Sequence, residues 1–151
     1  MRNTTLKYSF RGFLLVFLFL ALLMVSASAA SINGTVWIDQ NNDGLYAKGE
    51  DGLRNVTVTL ESVSGGTSAA LAETKTEKDG SFSFASVKDG TYLLRVKLPS
   101  EYRFAMPGKD SAALPASGSE SATEAFAVAG QNVVMNIGAT RSSSSVTFVA
   151  F

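Results

Sequence analysis

Gly34-Thr35-Val36-Trp37-Ile38 runs directly into Asp39-Gln40-Asn41-Asn42-Asp43-Gly44, Glu50 closes the run, and Val56-Thr57-Val58-Thr59-Leu60-Glu61 follows. The middle section fits the loop pattern D-x-[DN]-x-[DN]-G-x5-E without a gap, placing oxygen side chains at loop positions 1, 3 and 5 and an acid at position 12. A large hard cation needs roughly six to eight oxygens, and this alternation turns successive side chains inward while Gly44 permits the sharp bend. The pattern therefore predicts a calcium ion held by the side chains of Asp39, Asn41, Asp43 and Glu50 and by the backbone carbonyl of Leu45. The competing reading is a solvated Asn/Asp/Gly turn, which shares the composition but does not require five positions in register.

The flanks decide what kind of loop this is. An EF-hand or dockerin loop runs into an amphipathic helix, whereas Val56 to Glu61 alternates apolar and polar and is rich in β-branched residues. Gly34 to Ile38 is also strand-like and ends on the first expected ligand. The loop thus bridges two strands, and the ion would staple a β-domain.

Arg2, Lys7 and Arg11 precede an uninterrupted apolar stretch from Phe13 to Val25, which gives way to Ser26-Ala27-Ser28-Ala29-Ala30. This is the layout of a secretory signal peptide over 1–30, cleaved after Ala29 or Ala30. The apolar core is shorter than the roughly 20 residues of a membrane span, so the expected membrane contact is through the signal alone. The chain has 13 Lys and Arg against 13 Asp and Glu; without the three leader residues, ten basic residues face thirteen acidic ones, a net charge of −3. Nothing in that balance points to nucleic acid.

Cysteine and histidine are both absent, which removes disulfides, thiol nucleophiles, the usual general base and imidazole ligands. Glu73, Glu77, Asp79 and Asp89 sit beside turns or on alternating strands, where a solvated role is expected. The sequence reads as non-enzymatic.

Beyond the loop, the pattern predicts strands at 71–76, 81–84, 91–98, 125–128 and 133–137, with Lys78-Asp79-Gly80 as a hairpin turn, Pro99 to Ser121 as a loop, and the last two strands as an antiparallel pair. With the two strands around the loop this makes a single seven-stranded β-sandwich. Alternation assigns Val56, Val58, Leu60, Phe82, Phe84, Tyr92, Leu94, Val96, Leu98, Phe126, Val128, Val133, Met135 and Ile137 to its core. Trp37, on the opposite face from Val36 and Ile38, either packs beneath the calcium loop or offers an aromatic platform to a ligand such as sugar.

Gly34-x-Val36-Trp37-x-Asp39-x-Asn41-x-Asp43-Gly44, Glu50-x-Gly52-Leu53-x-x-Val56-x-Val58-x-Leu60, Thr76-x-x-Asp79-Gly80-x-Phe82-x-Phe84, Gly90-x-Tyr92 and Pro99-x-x-Tyr102 together resemble the B domains of serine-aspartate-repeat surface adhesins. The resemblance covers about Ser31 to Ala139. It implies a prealbumin-like (Ig-like) sandwich, related to collagen-adhesin B-type domains, that serves as a calcium-stiffened stalk module on a bacterial surface. It also implies Glu77 as an additional metal ligand. Collagen-adhesin relatives often carry a Lys-Asn isopeptide bond, but Ile32 to Ile38 contains no lysine, so Asn136 reads as an outward polar residue. The bacterial source implied by the resemblance leaves the sequons at Asn33 and Asn55 without weight. Leu114-Pro115-Ala116-Ser117-Gly118 mimics a sorting signal yet lacks the hydrophobic segment and basic tail, and reads as loop.

Three segments are therefore expected: a signal peptide at 1–30, a calcium-binding sandwich at 31–139, and a Ser-rich linker at 140–151 that ends in Val146-Thr147-Phe148-Val149-Ala150-Phe151, the first strand of a second, truncated module or a strand added to this one. The expected role is a calcium-stabilised spacer in a secreted or cell-surface, adhesin-like protein, with neighbouring repeat modules or extracellular ligands as partners. The alternatives are a carbohydrate- or host-protein-binding module, which needs Trp37, Tyr46 or Tyr102 clustered and exposed, and an accessory domain of a larger extracellular enzyme.

Overall fold

The computed structural model describes residues 29–106 and 110–142; the expected signal peptide, apart from Ala29 and Ala30, and the expected strand at 146–151 lie outside the described residues. Ten strands and no helix are present among the described residues: β1 (Ala30–Ile38), β2 (Thr57–Ser64), β3 (Thr67–Lys75), β4 (Ser81–Val87), β5 (Gly90–Lys97), β6 (Tyr102–Phe104), β7 (Glu120–Ala122), β8 (Phe126–Val128), β9 (Val133–Val134) and β10 (Ile137–Arg141). They form two sheets that face each other. One has the order β4-β1-β10-β6 with β9 also on β1, and the other the order β3-β2-β5-β7 with β8 also on β5. The all-β sandwich is as expected; the strand count of seven is not.

The difference has two physical sources. β6 lies inside the stretch expected to be loop and β7 straddles its end, each only three residues long, too short for alternation to register in sequence. The other source is side-chain substitution within a ladder. β9 and β10 run beside β1 in one parallel register, Ile32 opposite Val133 and Val36 opposite Ile137, but between them Asn136 Oδ1 accepts the Thr35 N–H at 3.1 Å in place of a backbone carbonyl. Asn136 is thus half-buried and bonded to β1, not simply outward. Thr123 does the same between β7 and β8, its Oγ1 accepting the Leu94 N–H at 3.1 Å.

Two connections also differ from expectation. The last strands do not pair with each other, since β8 joins β5 in one sheet and β9 and β10 join β1 in the other. The Lys78-Asp79-Gly80 turn is likewise no hairpin: β3 and β4 belong to opposite sheets, so the turn carries the chain across the sandwich. The true hairpin is β2–β3, paired from Thr57 opposite Lys75 to Ser64 opposite Thr67 around Gly65-Gly66, four residues longer at the β3 start than the predicted strand. Those first residues of β3 are exposed alanines, serine and threonine, which give no apolar alternation to read.

The core itself follows the alternation. Ile32, Val36, Val56, Val58, Leu94, Val96 and Ile137 are fully buried between the sheets, with Phe82, Phe84, Tyr92, Leu98 and Val128 around them and Phe126, Val133 and Met135 packed at the margin. Each large aliphatic side chain so buried contributes about 1.5–3 kcal/mol. Leu53, Tyr102, Phe104, Ala113 and Ala139 join this core from segments that the sequence pattern left out. The strand β10 continues to Arg141, two residues into the segment read as linker.

Candidate metal centre

The loop between β1 and β2 is closed at its base before any ion is considered. Ile38 donates its N–H to the Asp51 carbonyl at 2.8 Å, Leu53 donates to the Val36 carbonyl at 2.7 Å, and Trp37 bridges to Gly52. A Cβ on Gly52 would lie 1.9 Å from the Asp79 carbonyl oxygen, so the loop base can press against the 76–80 turn only because position 52 has no side chain. Thr76, buried at 4% exposure, locks the same region: its hydroxyl donates to the Leu53 carbonyl at 2.6 Å and accepts the Val56 N–H at 3.0 Å.

Within the loop, Asp39 is nearly fully buried and its carboxylate accepts the N–H groups of Asn42 (2.7 Å), Asp43 (3.3 Å) and Gly44 (2.9 Å). Three amides on one carboxylate curl residues 39–44 into a tight turn, with Asn42 and Gly44 in the left-handed region at φ 64° and 70°. Asn41 donates its side-chain amide to Asp43 Oδ2 at 2.8 Å, and Asp43 Oδ1 accepts the Leu45 N–H at 2.8 Å. Glu50 accepts from the Gln40 N–H at 3.2 Å and from the Ala47 N–H at 2.9 Å, so position 12 reaches back to the start of the loop.

The expected ligand side chains of Asp39, Asn41, Asp43 and Glu50 are therefore gathered on one closed loop, with their oxygens turned onto the loop's own amides. Among the described residues no three acidic side chains converge closely enough to hold a metal ion. Glu77 is exposed on the 76–80 turn and shares a shallow surface depression with Glu50, Asp51 and Asp79. Asp79 has its own task there, since its Oδ1 accepts both the N–H (3.0 Å) and the hydroxyl (2.6 Å) of Ser81. Those two hydrogen bonds hold its carboxyl below the usual aspartate range.

Trp37 takes the first of its two alternatives. It is fully buried, its ring centroid 5.2 Å from that of Tyr46 on the loop. On the other side a Cβ at Gly138 would meet the indole at 2.9 Å, so β10 approaches the ring closely only at a glycine. Tyr102 is buried at 9% exposure, which leaves Tyr46 as the exposed member of the three aromatics that a ligand platform requires. Sequence reasoning passed over Asp110, whose Oδ2 accepts the Tyr46 N–H at 2.9 Å from 64 residues away. No local pattern marks such a contact.

The SdrD B-like domain family matches residues 30–144. The chain belongs to that family. Serine-aspartate repeat-containing protein D of Staphylococcus aureus (strain Newman) is 39% identical to it over 72 residues, which are 48% of this chain and 5% of that protein. Colossin-A of Dictyostelium discoideum is 32% identical over 81 residues, 53% of this chain and 1% of that protein. The chain thus spans a small fraction of the length of the relatives it matches. Among solved structures, the shaft pilin spaA of Lactobacillus rhamnosus GG aligns at a TM-score of 0.49 and 15% identity, covering 76% of this chain and 52% of the pilin. The matched span runs from the first residue of β1 past the last of β10, so the family unit and the folded sandwich have nearly the same limits.

Proposed function

We propose that this SdrD B-like domain is a calcium-stabilised spacer in a secreted or cell-surface protein, a load-bearing module without catalytic activity. The observation that carries the reading is the parallel pairing of β1 with β10, Val36 to Ile38 against Ile137 to Ala139. Because the two strands are neighbours and point the same way, the chain enters at one end of the sandwich and leaves at the other. Tension along the chain then acts along both strands and loads their hydrogen bonds together, in shear, instead of opening them one after another.

Calcium fits this role by the chemistry of the donors. Asp39, Asn41, Asp43, Glu50 and the Leu45 carbonyl would supply only oxygen ligands, which suits a hard cation, and all five lie on a loop already closed by Ile38–Asp51 and Gln40–Glu50 hydrogen bonds. Glu77, on the neighbouring turn, would be the supplementary ligand. A bound ion would tie the loop to the end of β1 and so reinforce the strand that carries load. Family membership and the secretory pattern of the first 30 residues support placement outside the cell.

Single-molecule extension tests the proposal. Handles at residues 30 and 142 load β1 and β10 in shear, whereas handles at residues 30 and 87, a paired position at one end of the antiparallel β1–β4 ladder, unzip it. The shear geometry should require the larger force, and calcium should raise it further. Equal forces in both geometries would refute the load-bearing role.

A further inference from the structure

We infer that Asp110 is a positioning residue for the calcium loop, acting through the Leu45–Tyr46 peptide; the inference rests on the calcium reading above. Its Oδ2 accepts the Tyr46 N–H at 2.9 Å. That N–H belongs to the same peptide unit as the Leu45 carbonyl, and in a planar trans peptide the two groups point in opposite directions. Holding the N–H on Asp110 therefore turns the Leu45 carbonyl away from Asp110, and this opposite side is the one inferred to face the ion, where position 7 of the pattern calls for a backbone oxygen. The neighbouring peptide is set from the other side, since the Leu45 N–H donates to Asp43 Oδ1 at 2.8 Å.

Asp110 is itself anchored. Its neighbour Ser111 accepts the Gly138 N–H on its hydroxyl at 3.1 Å, and the Ala112 N–H donates to the Asn136 carbonyl at 2.8 Å, so residue 110 is fixed to the start of β10. The same contact seats Tyr46 over the buried Trp37 ring, 5.2 Å between centroids. The second half of the calcium loop is thereby referenced to β10, the strand by which the chain leaves the domain, as well as to β1. An exposed carboxylate accepting one amide is a charge-assisted bond of modest strength, enough to select one peptide orientation over others.

Calorimetric titration of calcium into wild type, Asp110→Ala and Asp110→Asn, with melting temperatures in chelator and amide exchange at Tyr46, tests this. Asp110→Ala should lose about tenfold in affinity, while Asp110→Asn, which keeps an acceptor oxygen, should stay within about threefold of wild type. In chelator Asp110→Ala should melt at the wild-type temperature, with faster exchange of the Tyr46 amide. Equal losses in the two variants would mean that the carboxylate charge acts directly on the ion, and unchanged affinity in Asp110→Ala would mean that the peptide needs no support; either result overturns the positioning role alone. Absence of calcium binding by the wild-type protein overturns the metal reading, and this inference with it.

Discussion

Replacing Thr76 by valine removes one hydroxyl and nothing else of comparable volume, yet it should be among the most damaging single changes in the domain. The hydroxyl satisfies two buried backbone groups, the Val56 N–H and the Leu53 carbonyl, and the residues that carry them are 0% and 5% exposed. Each such group left without a partner costs about 1–3 kcal/mol, so the pair should cost about 3 kcal/mol. A domain of this size loses about 5 °C in Tm per kcal/mol, which gives a fall of about 15 °C. The Thr76 N–H and carbonyl still bond Val56 and Asn55 and should hold the strand in place, so the variant folds, with its loss confined to stability. Thermal unfolding followed by circular dichroism measures the effect, with Thr59→Val, on the outer face of β2, as the control expected to change stability by less than about 0.5 kcal/mol. A Thr76→Val Tm within 2–3 °C of wild type, roughly the size of a surface substitution, would show that these two groups are not satisfied by the hydroxyl in solution.

Three other outcomes follow from the same contacts. If the loop binds calcium with a Kd of about 0.1 mM, about 2 mM calcium should stabilise the domain by about 1.8 kcal/mol over chelator, and identical melts would remove the metal assignment. Asp43→Ala should weaken calcium binding by about tenfold or more, whereas Asp79→Ala should change it by less than about threefold, because Asp43 stands at position 5 of the 39–50 loop while Asp79 lies on the separate 76–80 turn and shapes it through Ser81; calorimetry on both variants separates the two roles. Glu61 is held below its ordinary value of 4.5 by hydrogen bonds from Arg95 and Ser68, so the stability it adds is present above pH 4.5 and lost as pH falls through the depressed folded value; Glu61→Gln should flatten that part of a Tm-against-pH curve, and an unaltered curve would count against the pair.

The strands with strict alternation and the loop pattern of 39–50 could be read directly from residue order, because each depends on neighbours within a few positions: a period of two puts Val56, Val58 and Leu60 on one face, and an Asp-x-Asn-x-Asp-Gly run curls on its own amides. Only the tertiary structure decided which strand lies beside which, and hence that β8 and β9 part company into different sheets and that the 76–80 turn crosses between layers. It also decided the polar contacts that finish the ladders and the loop: Asn136 on Thr35, Thr123 on Leu94, Thr76 on Leu53 and Val56, and Asp110 on Tyr46. A short polar side chain has no sequence periodicity of its own. Its partner is whichever buried amide or carbonyl the register of distant strands leaves open, and that register exists only once the two sheets have closed on their common core.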